Sequence, residues 1–137
     1  MDDSTLTWVR LAIVAAAAMA LFAVWFVLRK GRRRSGDHVY RASRLSRGNR
    51  IFPAQVVVTP ETITHFHPEL IGCIEESIHI AHVSSIRIDT NLLFADIYIE
   101  TTGGEKPIVC YGHTRGDAVR MKQTIEQFQS KYFGTRH

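Results

Sequence analysis

Residues 11–28 read LAIVAAAAMALFAVWFVL, eighteen positions with no charged or polar side chain, no glycine and no proline. As a helix they rise roughly 27 Å, about the thickness of a bilayer's hydrocarbon core. A helix on a soluble domain keeps one face polar; this one is apolar all round. The stretch is therefore expected to cross a membrane. A secretory signal peptide starts basic, has a shorter apolar core and ends at small residues. Here Asp2 and Asp3 come first, and Arg29 and Lys30 close the run. The segment is expected to stay in the bilayer.

Working outward, Trp8 stands where an interfacial aromatic belongs, Arg10 can snorkel to the surface, and Trp25 lies near the opposite interface. Basic residues crowd the far end: Arg29, Lys30, Arg32, Arg33 and Arg34 follow the span, and only Arg10 precedes it. Positive charge marks the cytoplasmic side. The expected topology is single-pass in the cytoplasmic membrane, N-terminus outside and the bulk of the chain in the cytoplasm. Its two cysteines would be reduced thiols there. Ala12, Ala16 and Ala20 recur every four residues, a small-residue stripe against which another helix could pack.

The charge is uneven. Residues 29–50 hold nine basic side chains and one acid, whereas residues 51–137 hold seven basic and ten acidic ones. The basicity belongs to a membrane-proximal collar, which argues against a nucleic-acid binder. Such a collar attracts anionic lipid headgroups, about 1 kcal/mol per residue near the surface. The expected organisation is a tail over 1–7, a transmembrane helix over 8–28, a basic linker over 29–49, one domain over 50–133 and a tail over 134–137. Rich in Gly, Ser and Arg, the linker is expected to be extended or mobile.

From residue 51 the periodicity becomes that of strands. Residues 53–58 lead into the turn Thr59-Pro60-Glu61-Thr62, and residues 63–67 resume before Pro68. Ile78 and Ile80, Ile86 and Ile88, and then Ile97 and Ile99 alternate with polar positions, one face buried and one wet. Thr102-Gly103-Gly104-Glu105 is a hairpin turn, with 107–111 as the returning strand. After Gly112 the period lengthens. Thr114 and Asp117 form a helix start, and Ala118, Met121, Ile125, Phe128 and Tyr132 fall on one helical face. That stripe must bury itself against the sheets.

The segments FPAQVVVTPETITHF, IETTGGEKPIVCYG and GHTRGDAVRMKQTIEQF resemble the bacterial PH-like domains over roughly residues 48–133. The resemblance implies an α+β, mainly β fold: an antiparallel β-sandwich or barrel of two nearly orthogonal sheets capped by a C-terminal amphipathic helix, here behind one membrane anchor. Lipid-binding members of the wider PH family carry basic residues in the loop joining the first two strands. That loop is expected here at Thr59-Pro60-Glu61-Thr62, which has an acid and no base. This argues against inositol-phosphate recognition. Arg44, Arg47 and Arg50 lie just before the expected first strand.

Other chemistry is thinly represented. His65 and His67 share a strand face, Cys110 and His113 are three apart, and Cys73, His79 and His82 are also available. None of these pairs has a zinc-finger or protease spacing. They read as surface or half-buried histidines, with the cysteines packed as small apolar groups. There is no nucleophile elbow, phosphate loop or dinucleotide fingerprint. No cofactor, metal, nucleic acid or small-molecule substrate is expected, and no enzyme activity. The expected role is a non-catalytic accessory or scaffold subunit of a membrane protein complex, partnered by other integral membrane subunits. Leu92, Leu93 and Phe94 are the candidate partner contact on the folded part. The alternative is a surface module that binds anionic lipid through the collar.

Overall fold

The computed structural model describes the chain except residues 1, 33–35, 37 and 136–137. It forms two compact units, residues 1–32 and residues 33–137.

The first unit is one helix, α1 (Asp3–Lys30), with no buried residue. By length and composition it can cross a membrane. It starts earlier than the tail expected over residues 1–7 allows. Asp3 sits in the first turn, where an acid complements the helix dipole, and no glycine or proline interrupts the helix before Gly31 at its C-cap. Thr5 and Thr7 return their hydroxyls to the carbonyls of Asp2 and Ser4, both at 2.7 Å. Arg29 and Lys30 occupy the last turn, where cations oppose the negative end of the dipole.

The second unit begins with a four-stranded antiparallel sheet in the order β1-β2-β3-β4: β1 (Val39–Arg41), β2 (Gln55–Val58), β3 (Thr62–Pro68) and β4 (Cys73–His79). A 3-10 turn, Ile80–His82, leads into a three-stranded antiparallel sheet of β5 (Val83–Thr90), β6 (Ala95–Thr101) and β7 (Ile108–His113). The chain closes with α2 (Arg115–Gly134). This is the expected α+β architecture of a long apolar helix, antiparallel strands and a C-terminal helix, with the strands divided into two sheets as the resemblance to the PH-like domains implied.

The core lies between the sheets and α2. Val56, Ile63, Ile97, Ile99, Met121 and Ile125 are wholly buried. The helical stripe does the sealing: Ala118, Met121 and Ile125 enter the core, with Phe128 and Tyr132 packed at its edge. Thr114 caps the helix, its hydroxyl accepting from the N–H of Asp117 at 3.2 Å. Thr124 also faces inward and bonds the Tyr40 hydroxyl at 2.8 Å, joining α2 to the first strand.

One strand, β1, lies where the sequence reading has none, and another, β4, begins well before the alternation at Ile78 and Ile80. β1 falls inside the stretch expected to be an extended or mobile linker, and pairs with β2 through Val39–Val57, Tyr40–Val56 and Arg41–Gln55. At three residues it is too short to show a period. β4 pairs with all of β3, but Cys73 to Ser77 are exposed, so no alternation of apolar residues announces its first five residues. A consequence follows for the loops. Thr59-Pro60-Glu61-Thr62 joins the second and third strands, and the loop joining the first two is residues 42–54, which carries Arg44, Arg47 and Arg50.

Candidate functional site

The loop over residues 42–54 is built on β7. Ala42 and Ser43 donate backbone N–H bonds to Ala54 and Gly112, both at 2.8 Å. Asn49, almost wholly buried, donates from Nδ2 to Ser46 Oγ at 2.9 Å and to the Tyr111 carbonyl at 3.3 Å. Its Oδ1 accepts from the Ala54 N–H at 2.9 Å. Gly112 has a φ of +73°, and a Cβ there would run into the side chains of Ser46 and Asn49. Only glycine allows the loop to approach so closely.

This scaffold turns particular side chains outward. Leu45, Arg47, Arg50 and Ile51 are exposed, while Phe52, Pro53 and Ala54 are buried. Leu45, Arg47, Gly48, Arg50, Ile51, Phe52 and Pro68 line an open groove of about 550 Å³. Pro68 ends β3, and the hairpin beyond it exposes Leu70 and Ile71. A second depression brings Ser46 and Arg47 beside Asn91, Phe94 and Tyr111, so the hairpin between β5 and β6 stands at the same end. There Leu92 is 90% and Leu93 72% exposed. Arg115 braces this hairpin by donating from Nη2 to the carbonyls of Asn91 at 2.7 Å and Leu92 at 3.1 Å. Phe94 is only half exposed and lines the depression.

On α1, Trp8, Arg10 and Trp25 are exposed, and the Ala12, Ala16 and Ala20 stripe is uncovered along one face. Arg29 lies over the Trp25 ring at 5.1 Å and Lys30 over Phe26 at 5.8 Å. These cation–π contacts place charge and aromatic surface together at the end of the apolar run. Arg32 is exposed. Arg33 and Arg34 lie outside the described residues.

Between the sheets sits a small polar cluster. His113 is wholly buried and neither ring nitrogen has a hydrogen-bond partner. Burial and the neighbouring His65 push its pKa down to about 4, against the opposing pull of Asp117 and Asp96. Burial also lowers the pKa of His65, although Glu76, across the strand pair at 3.6 Å, works the other way. Cys110 is buried and its thiol is pushed up to about 12, mainly by desolvation. It is an inert thiol. Among the described residues no three His, Cys, Asp or Glu side chains assemble as a metal-binding set. The His79 ring instead lies tilted against His82 and edge-on to Tyr132, and Cys73 is exposed.

The sequence reading singled out Leu92, Leu93 and Phe94, but not Leu45, Ile51, Leu70 and Ile71, and it did not bring the three loops together. The available signal was bulky aliphatics inside otherwise polar loops.

In class, then, the chain is an α+β protein that pairs a long apolar helix with a small two-sheet domain closed by a helix. No family model and no curated protein matches it. Among solved structures it is similar to a DUF1696 family protein with a pleckstrin-homology domain from Shewanella loihica PV-4. The two are 17% identical with a TM-score of 0.45, over 69% of this chain and 83% of the other.

Proposed function

We propose that the chain is a non-catalytic accessory subunit of a membrane protein complex, anchored by α1 and presenting its two-sheet domain in the cytoplasm. One observation carries the reading: α1 is 28 residues long, eighteen of them in succession, residues 11–28, are apolar, and no residue of it is buried. Such a surface is stable in lipid or against other apolar helices, not in water. The stripe of Ala12, Ala16 and Ala20 suits close approach of a neighbouring helix. The crowding of Arg29, Lys30, Arg32, Arg33 and Arg34 at its C-terminal end supports an orientation with that end inside.

The test is purification of the tagged full-length chain from its own membranes in mild detergent at high salt. A subunit brings integral membrane companions in fixed stoichiometry. A chain that elutes alone, as a monodisperse species of its own mass, ends the subunit reading.

A further inference from the structure

We propose that the open edge of β4, over Cys73 to Ser77, receives an extended dibasic segment of a companion subunit as an added strand. The proposal rests on the subunit reading for its partner, but the edge belongs to the two-sheet unit alone.

The register of the β3–β4 hairpin decides which backbone groups are free. At one end the Ile80 N–H donates to the Glu61 carbonyl at 2.8 Å; at the other the Glu69 N–H donates to the Gly72 carbonyl at 3.2 Å. Bonded and non-bonded pairs alternate along an antiparallel ladder. Between those ends the bonded pairs are therefore Ile63–Ile78, His65–Glu76 and His67–Ile74. Cys73, Glu75 and Ser77 fall at the non-bonded pairs, so their N–H and C=O groups point away from β3. Two further observations agree. Pro68, which has no N–H to give, stands opposite Cys73. Thr64 and Ser77 bring their hydroxyls within 3.2 Å, the closer approach of a non-bonded pair.

The other sheet edges are short or occupied. β1 has three residues. The Gln129 amide of α2 donates to the Val83 carbonyl at the start of β5, at 2.9 Å. Loop 42–54 is bonded to the end of β7. β4 is the last strand of its sheet, and all five residues from Cys73 to Ser77 are exposed. An open edge is a template for pairing, which proteins blunt with lysine, proline or a bulge. β4 has none of the three.

Charge selects the occupant. Residues 51–86 contain Glu61, Glu69, Glu75 and Glu76 and no lysine or arginine. Antiparallel pairing of two β4 strands centred on Glu75 or Glu76 sets glutamate against glutamate, which opposes a second copy. Neighbouring side chains leave a strand by opposite faces. Glu75 and Glu76 therefore call for one cation on each face, as two successive basic residues supply. Glu76 lies 3.6 Å from His65 Nδ1 and keeps its side chain 55% exposed. Ile74, also exposed, offers the added strand an aliphatic contact. Backbone bonds along such an edge give affinity, and the side chains give selectivity.

The experiment uses the full-length protein in mild detergent and reads amide hydrogen exchange residue by residue. In the chain alone the amides of Glu75 and Ser77 should exchange fast and those of Ile74 and Glu76 slowly. Three synthetic peptides are then added, each rich in valine and threonine. One has a central Arg-Arg pair, one a central Glu-Glu pair, and one the Arg-Arg pair with alternate backbone nitrogens methylated. The expected result is that the first peptide alone binds and slows exchange at Glu75 and Ser77. Glu75→Lys with Glu76→Lys, both exposed positions, should weaken that binding about tenfold or more. Equal binding of the methylated peptide makes the contact one of charge without strand addition, and overturns the proposal. So does fast exchange at Glu75 and Ser77 with every peptide present. Protection that grows with the concentration of the chain alone assigns the edge to a second copy and equally overturns it. The subunit reading fails separately: companions that co-purify while no peptide protects β4 leave that reading standing and remove this one.

Discussion

His113 is buried at the end of β7 with two unpartnered nitrogens, so its neutral form is the one that folding selects. Its pKa is about 4 in the fold, against an ordinary value near 6.5 in the unfolded chain. The unfolded chain takes up the proton first as pH falls. The contribution is therefore intact above about pH 6.5 and is lost as pH drops toward 4, on the order of 3 kcal/mol in all. Denaturant titrations of the full-length protein in detergent, followed by circular dichroism, should show stability falling across that window. His113→Phe should flatten the slope, and a slope that survives it assigns the acid sensitivity elsewhere. The cysteines give a second residue-level contrast. A thiol reagent should modify the exposed Cys73 in the folded protein and reach the buried Cys110 only after denaturant is added. Gly112→Ala combines an unfavourable φ with a collision against Ser46, and should cost about 2 kcal/mol or more. A melting temperature unchanged by that substitution would mean that the loop over 42–54 is not seated on β7.

At the scale of elements, α2 and the loops behave differently. α2 holds the sheets by burying one stripe, so Ile125→Ala should lower stability by about 2–5 kcal/mol, read as a drop in the denaturation midpoint. An exposed position of the same helix, such as Arg120, should tolerate alanine with little change. The same helix was legible beforehand because Ala118, Met121, Ile125, Phe128 and Tyr132 repeat at its period and Thr114 caps it. β6 was legible too, since Ile97 and Ile99 alternate into the core. β1 was not, and β4 only at its end, for opposite reasons. β1 is buried but three residues long; β4 is long enough but is an edge strand whose first five residues face solvent. Missing β1 moved the first loop. Residues 42–50 then read as part of a collar of charge, when they belong to a folded loop with a buried Asn49.

For the molecule as a whole, the proposed anchoring makes a directional prediction. A membrane-impermeant maleimide should leave Cys73 unlabelled in intact cells and label it in inverted membrane vesicles. Labelling in intact cells would place the domain outside and reverse the topology argued from the arginines. Bulky substitution of the stripe, Ala12→Ile with Ala16→Ile, should leave the chain in the membrane fraction while releasing companion subunits. Retention of every companion would move the contact off that stripe.

The amino-acid order alone determined what local rules can express: an apolar run of bilayer length, a sided distribution of arginine, alternating strands, a glycine hairpin and a capped amphipathic helix. Each depends on neighbours a few residues apart. The pairing of β1 with β2, the seating of loop 42–54 on Gly112, the facing of His65 with His113 and the gathering of Leu45, Leu70 and Leu92 at one end belong to the tertiary structure. These groups lie tens of residues apart along the chain. Only the closing of two sheets around one core brings them together, and no periodicity encodes that closure.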